Sequence, residues 1–340
     1  MPNYRRFATL LLALPLVLIT AGCGLSTYVS PKPYQETQFL MDTIIEITAY
    51  GPGSEQAVKA AFGEFKRIHD LTNQFDPNSQ LAKINAQAGK SKVRVDPELV
   101  YLLNRAKALS AKVDGAFDFS IGPLTELWGI GRKGDFVPAQ AEINALLPLV
   151  NYRMVEVDEV HNTVYLPKVG MRLDLGGIAK GYATDKAVEK LKAMGVKSAL
   201  VNAGGNVRVI GVKPDGSPWR IGIQHPRRSE GIIAKLALTD WDTLETSGDY
   251  QRFIEKDGVR YAHILDPRTG RQPQEVASVT VALNNSTDGD VLSTALFVLG
   301  VERGMQLLQK FPGVEAVFVT QDGRVVTTPG LAGKIEITGK

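Results

Sequence analysis

The sequence predicts an α+β protein, mixed sheets with packed helices, and not a Rossmann fold. Three observations carry this. Helix-period and strand-period segments alternate from about Phe39 onward without the regular strand–helix–strand rhythm of a doubly wound sheet. Gly129 to Gly134 (GIGRKG) matches the dinucleotide fingerprint letter for letter, yet no apolar strand precedes it and Asp135-Phe136-Val137-Pro138 follows where a helix should begin, so it reads as a loop. The 340 residues are 44% hydrophobic and 22% charged, the composition of a globular chain long enough for a sizeable core.

Taken in order, residues 1–22 carry a basic start, Arg5 and Arg6, and then an uncharged run from Phe7 to Gly22 that contains Pro15. That run is shorter than the roughly 20 apolar residues of a spanning helix, so it reads as a secretion signal. Thr20-Ala21-Gly22-Cys23 resembles the lipobox of bacterial lipoproteins, with Thr20 where leucine is usual; the alternative is an ordinary signal peptide and an incidental thiol. Cys23 is the chain's one cysteine, which excludes an intramolecular disulfide, a thiolate zinc site and a cysteine-ligated iron–sulfur cluster. Lipid on Cys23 would anchor a soluble body at a membrane without a transmembrane helix. Residues 23–37, rich in Ser, Thr and Pro, read as a tether to a domain covering 38–340. The net charge is only +3, and two of those charges sit on Arg5 and Arg6, so charge gives no support to a nucleic-acid partner.

Thr43 to Tyr50 (TIIEITAY) reads as a strand stopped by Gly51-Pro52-Gly53. Ser54 is placed to cap a helix to about Leu71, and Asp96-Pro97-Glu98 supplies an N-cap, a first-turn proline and an acid for a second. A third helix runs from about Ile178 to Gly195. Strands follow at Ser198 to Asn202, Val207 to Gly211, Leu236 to Leu238, Val276 to Leu283 and Ala316 to Thr320. A fourth helix spans about Gly289 to Leu299, closed by Gly300.

Four places carry possible chemistry. In Leu173 to Tyr182, strand-like residues pass through Gly176 and Gly177 into a helix with Lys180 in its first turn, which suits either an anion or close helix–sheet packing. Asn202 to Asn206 (NAGGN) reads as a turn that can also line a site. Asp290 and Thr294, four apart on one helix face, are hard oxygen donors of the kind Mg²⁺ takes; dipole pairing and back-bonding to the preceding turn are the alternative. His263, where a strand enters the Asp266-Pro267 turn, is a candidate general base, or a histidine satisfied within that turn.

Together these segments resemble the flavin transferases of the ApbE family, FAD:protein FMN transferases, from about Met41 to the C-terminus. The carrying motifs are Met41-Asp42-Thr43, Gly115 to Asp118 continuing to Leu124, Asp174 to Asp185 (DLGGIAKGYATD), Asn202 to Asn206, His263 to Gly270 (HILDPRTG) and Asp290 to Gly300 (DVLSTALFVLG). The resemblance implies an ApbE-like, T-fold-like architecture with two α/β subdomains. It implies Mg²⁺-dependent cleavage of FAD, with FMN passed to a threonine or serine hydroxyl of another protein and AMP released. Two alternatives are an FAD pyrophosphatase giving free FMN and AMP, and a flavin-binding lipoprotein without catalysis.

By the family's pattern Asp290, Thr294 and the Gly177 carbonyl hold the metal. Met41, Phe75, Ala116, Phe117, Asp118, Asp174, Lys180 and Ile264 fall at FAD-contact positions, and His263 is the candidate base. Phe75 stands where the family often has tyrosine, which keeps ring stacking and removes a phenolic hydrogen bond. Asp42 stands where glycine is commoner, and Gly24, not Asp, follows Cys23. Family members are commonly extracytoplasmic lipoproteins, so the expected place is the periplasmic side of the inner membrane. The expected partners are membrane-associated acceptors such as subunits of redox-driven ion pumps.

Overall fold

Eight strands follow one another in chain order across one antiparallel sheet: β1 (Tyr34–Leu40), β2 (Thr43–Tyr50), β3 (Ser198–Ala203), β4 (Asn206–Ile210), β5 (Thr243–Gly248), β6 (Val276–Leu283), β7 (Glu315–Thr320) and β8 (Val325–Thr327). Four long helices accompany them: α1 (Ser54–Thr72), α2 (Pro97–Lys112), α3 (Ala179–Ala193) and α4 (Ser286–Leu308). This antiparallel order is the α+β arrangement, and it excludes a doubly wound sheet. The computed structural model describes residues 32–228 and 230–338. The signal segment, Cys23 and the tether as far as residue 31 lie outside the described residues.

The sheet is covered on both faces. Alternate residues Ile45, Ile47 and Ala49 of β2 and Ala199, Val201 and Ala203 of β3 are fully buried in one cluster with Ala57, Ala61 and Phe65 of α1 and Ala183 and Leu191 of α3. On the opposite face Val209, Leu244, Ala282 and Val317 meet Trp219, Ile223, Ile233 and Leu236 of a smaller sheet formed by Trp219–Gln224, Ile232–Leu238 and Ile335–Ile337. Burial on two faces is why β6 reads as a mostly apolar, uncharged run, broken only by Ser278 and Thr280: all eight of its residues are buried. Each fully buried Val, Leu or Ile contributes about 1.5–3 kcal/mol.

Several ends differ from expectation. Ser54 does not cap α1; Gly53 takes the N-cap position in the left-handed region, φ 75°, and Ser54 is the first helical residue. Asp96 does cap α2, its Oδ1 accepting the Glu98 N–H at 2.8 Å. The strand expected at Leu236–Leu238 begins at Ile232, and β1 begins at Tyr34, inside the segment read as tether. Helix α4 starts at Ser286, where Asn285 Oδ1 accepts the Asp288 N–H at 2.8 Å. Gly300, φ 75° and ψ −170°, breaks it as expected, and the helix then resumes to Leu308. The apolar stretch of α4 belongs to the core, with Val291, Leu292, Ala295, Leu296 and Phe297 fully buried.

The β1–β2 connection is two residues, Met41 and Asp42, with φ 54° and 57°. A left-handed pair is what a tight hairpin turn requires. Aspartate is among the few residues other than glycine that adopt this conformation.

Candidate active site

A cleft of about 250 Å³ opens beside the junction of α3 and α4, and the twelve residues expected to bind flavin or metal or to act as the base all line it, whereas none of residues 202–206 does. Met41 comes from the β1–β2 turn and Phe75 from the loop after α1. Ala116, Phe117 and Asp118 come from the loop after α2. Asp174, Gly177 and Lys180 lie on the segment entering α3, His263 and Ile264 precede the Asp266 turn, and Asp290 and Thr294 lie on α4.

The Asp290 carboxylate accepts three hydrogen bonds, one of them from an ammonium. Its Oδ1 accepts from Lys180 Nζ at 2.9 Å and Asn206 Nδ2 at 3.0 Å, and its Oδ2 accepts from the Gly181 N–H at 3.0 Å. Asp290 is 3% exposed. Three donors, one of them charged, are what a buried carboxylate needs. Gly181 must be glycine, because a Cβ there would overlap the Ser286 carbonyl and come within 2.9 Å of Asp290 Cβ. The Thr294 hydroxyl donates to the Asp290 carbonyl oxygen at 3.0 Å and lies 3.3 Å from Ser247 Oγ. A Cβ on Gly177 would stand 3.4 Å from Thr294 Oγ1 and 3.0 Å from the Phe117 ring, so Gly177 brings bare backbone up to the Asp290–Thr294 face.

Behind Asp290 lies Glu245, fully buried, whose Oε1 accepts the Thr243 hydroxyl at 2.8 Å. Burial, and after it the negative charge of Asp290, push its carboxyl well above the ordinary range. Among the described residues no three His, Cys, Asp or Glu gather into a metal cluster. A cation held here would rest on the Asp290 carboxylate, the Thr294 hydroxyl and the Gly177 carbonyl. That hard, low-denticity oxygen set suits Mg²⁺, which keeps water and substrate phosphates for its remaining positions.

Asp174 closes the turn into α3. Its Oδ1 accepts the Gly176 N–H at 2.9 Å and its Oδ2 the Thr125 hydroxyl at 2.8 Å. Asp118 is engaged differently: Oδ1 takes the Ser120 N–H at 2.8 Å and its hydroxyl at 2.6 Å, and Oδ2 the Tyr152 N–H at 2.9 Å. Its carboxylate shapes the loop that presents Ala116 and Phe117.

His263 Nδ1 is 3.2 Å from the Arg252 carbonyl oxygen, which only accepts, so Nδ1 carries the proton and Nε2 keeps its lone pair. Burial, then the Arg252 and Lys180 charges, lower its pKa from 6.5 to about 3. The imidazole is therefore neutral across the physiological range.

Sequence reasoning missed several cleft groups. Asn206, read as part of a turn that can also line a site, stands behind the cleft wall and donates to Asp290, 84 residues away in sequence. Arg132 lies within the rejected fingerprint and lines the cleft, together with Asp42 and Arg252. Burial lowers the pKa of Arg132, as does Arg252, against the pull of Asp42. Asp42 lies in the Met41-Asp42-Thr43 motif, but no motif marks Arg132 or Arg252, and only the fold brings the three together.

Known proteins share both the sequence and this fold. The profile of the ApbE family matches residues 41–318. An FAD:protein FMN transferase of Klebsiella pneumoniae is 39% identical over 297 residues, covering 87% of this chain and 92% of that protein. One from Treponema pallidum is 35% identical, covering 94% of each. Among solved structures, the ApbE protein of Thermotoga maritima superposes with a TM-score of 0.83 at 34% identity, covering 89% of this chain and 99% of that one. The apo flavinyl transferase ApbE of Pseudomonas stutzeri gives 0.77 at 33% identity, covering 88% and 95%. The chain belongs to the ApbE family.

Proposed function

We propose that this chain is an FAD:protein FMN transferase that passes the FMN half of FAD to a threonine or serine hydroxyl of an acceptor protein and releases AMP, with Mg²⁺ as its cofactor. The observation that carries the reading is one cleft that gathers a buried carboxylate, a hydroxyl and bare backbone beside Lys180, with a neutral histidine on the same wall. Displacement at phosphorus needs positioning and charge neutralisation more than a covalent enzyme intermediate, and these residues supply both.

In this reading Asp290, Thr294 and the Gly177 carbonyl hold Mg²⁺, which supplies charge neutralisation at the pyrophosphate. Lys180 adds a fixed positive charge at the start of α3. Met41, Phe75, Phe117 and Ile264 offer apolar contact to the flavin nucleotide. His263 Nε2 takes the proton from the acceptor hydroxyl as its oxygen bonds to the FMN phosphorus. The bond from that phosphorus to the bridging oxygen breaks, and its electron pair leaves on AMP.

Cys23 is the proposed lipid attachment, holding the enzyme on the periplasmic side of the inner membrane, within reach of membrane-associated acceptors such as redox-pump subunits. Its support is sequence: the lipobox-like TAGC segment and the absence of any other cysteine. Mass spectrometry of the mature N-terminus should find a diacylglyceryl cysteine; an unmodified thiol would remove the anchor.

The deciding experiment incubates purified protein with FAD, Mg²⁺ and a threonine-bearing acceptor. Flavin covalently bound to the acceptor together with AMP supports transfer. Free FMN with AMP would make the chain a pyrophosphatase, and intact FAD would overturn both enzymatic readings.

A further inference from the structure

The glycine-rich loop Gly129–Gly134 remains without a role, although it forms part of the cleft wall. It is firmly based. Trp128 Nε1 donates to the Gly270 carbonyl at 2.8 Å, and its ring lies 5.6 Å from that of Tyr261. Gly129 ends the preceding helix in the left-handed region, φ 56°, and the N–H groups of Arg132 and Lys133 both return to its carbonyl, at 2.8 and 2.9 Å. The direction of the Arg132 side chain is thus set by the loop. Its Cζ stands 3.0 Å from the centroid of the Phe75 ring. Asp42 Oδ2 lies 3.7 Å from Arg132 Nη2 and 3.9 Å from Arg252 Nη1.

Three loops distant in sequence therefore place an aromatic face, a planar cation and a carboxylate together in the cleft. Phe75 is 50% exposed, which is unusual for a large apolar ring unless something covers it. A guanidinium stacks on aromatic faces as no ammonium does, and a ring gripped between a guanidinium and a phenyl group gains contact on both sides. The ion pairs that position Arg132 are half-exposed and loose, so little opposes its lifting to admit such a ring.

We propose that Arg132 is a further FAD-binding residue, clamping one of the two planar ring systems of FAD against Phe75, with Asp42 orienting the guanidinium. The inference rests on the flavin-transferase reading of the cleft and adds to it the residue that covers the Phe75 face.

The test is equilibrium binding of FAD, FMN and AMP to the purified parent protein and to Arg132→Ala and Arg132→Lys, without acceptor, alongside thermal melts. Arg132→Ala should melt with the parent and bind FAD about five- to thirtyfold more weakly, the range from an exposed to a desolvated cation–π contact. Arg132→Lys should be weakened as well, because an ammonium keeps the charge and loses the plane. A loss confined to AMP assigns the clamp to adenine, and a loss confined to FMN assigns it to the isoalloxazine. FAD affinity within twofold of the parent in Arg132→Ala, or full affinity in Arg132→Lys, overturns the clamp. A parent protein that binds no FAD overturns the transferase reading, and the clamp with it.

Discussion

Lys180 Nζ lies 2.9 Å from Asp290 Oδ1, an ion pair that joins the start of α3 to α4. The two side chains are 21% and 4% exposed, so the carboxylate is held away from water and its charge is met by the ammonium. In the proposed reaction the same carboxylate serves Mg²⁺. Asp290→Asn keeps the shape and removes the charge. It should lower flavin transfer by at least about 10²-fold, the scale on which single charge-stabilising groups act. AMP release measured across a Mg²⁺ titration checks this, and near-parental turnover would remove the metal assignment.

Close approach at Gly181 is what lets Lys180 and the Gly181 N–H reach Asp290. In Gly181→Ala the new methyl meets the Ser286 carbonyl, which is backbone and cannot swing aside. Overpacking of this kind costs about 1–3 kcal/mol. The variant should show a lower denaturation midpoint and a raised Mg²⁺ requirement, since parting α3 from α4 parts Gly177 from Thr294. A lower midpoint with an unchanged Mg²⁺ requirement would separate the packing from the site.

How much of this was legible in sequence depends on whether the determinant was local. β2 and β6 were read with their observed ends because local sequence bounds them: β2 alternates buried Ile45, Ile47 and Ala49 with part-exposed residues and stops at Gly51-Pro52-Gly53, and β6 is a mostly apolar run buried on both faces. The cap at Asp96 was read correctly because its Asp-Pro-Glu signature is complete within three residues. Ser54 failed because Gly53, left-handed, already ends the turn, and no side-chain cap forms. The site residues all reached one cleft because they lie in contiguous motifs. Arg132 was lost because its partners, Phe75 and Asp42, lie more than fifty residues away and nothing in GIGRKG marks its direction. Glu245 was lost for the same reason: its burial comes from β5 packing beneath α4, and no spacing announces it.

Asp185, the last residue of DLGGIAKGYATD, gives α4 a second anchor. It accepts from the Ser286 N–H at 3.0 Å, the Thr287 N–H at 2.9 Å and the Thr287 hydroxyl at 2.5 Å, and pairs with Arg208. Removing the carboxylate leaves the buried Ser286 and Thr287 donors unpaired and takes from Arg208, whose side chain is 12% exposed, one of its two carboxylate partners, Asp242 remaining at 3.0 Å; a buried donor left unpaired costs about 1–3 kcal/mol. Asp185→Ala should therefore lose that order of stability in urea titration. Asp185→Ala combined with Arg208→Met should recover part of it, because residues in one network do not add independently. Strict additivity would mean that the pair is not coupled.

His263 ties pH to both stability and turnover. Its folded pKa, about 3, lies below the ordinary 6.5 because burial, and then the Arg252 charge, oppose protonation. The sign follows: between the two values the unfolded chain binds a proton that the folded chain refuses. The stabilisation is complete above about 6.5 and is lost progressively as pH falls toward 3. On acidification from pH 7 to 4.5 the thermal midpoint of the parent should fall more steeply than that of His263→Asn, whose side chain does not titrate; parallel slopes would mean that the histidine titrates normally. Turnover follows the same logic. The acid limb of kcat/KM reports the free enzyme's essential base, so in the parent it should lie well below pH 6. His263→Asn should be slow at every pH and lack that limb. A parental limb at 6.5 or above would place the proton acceptor elsewhere in the cleft.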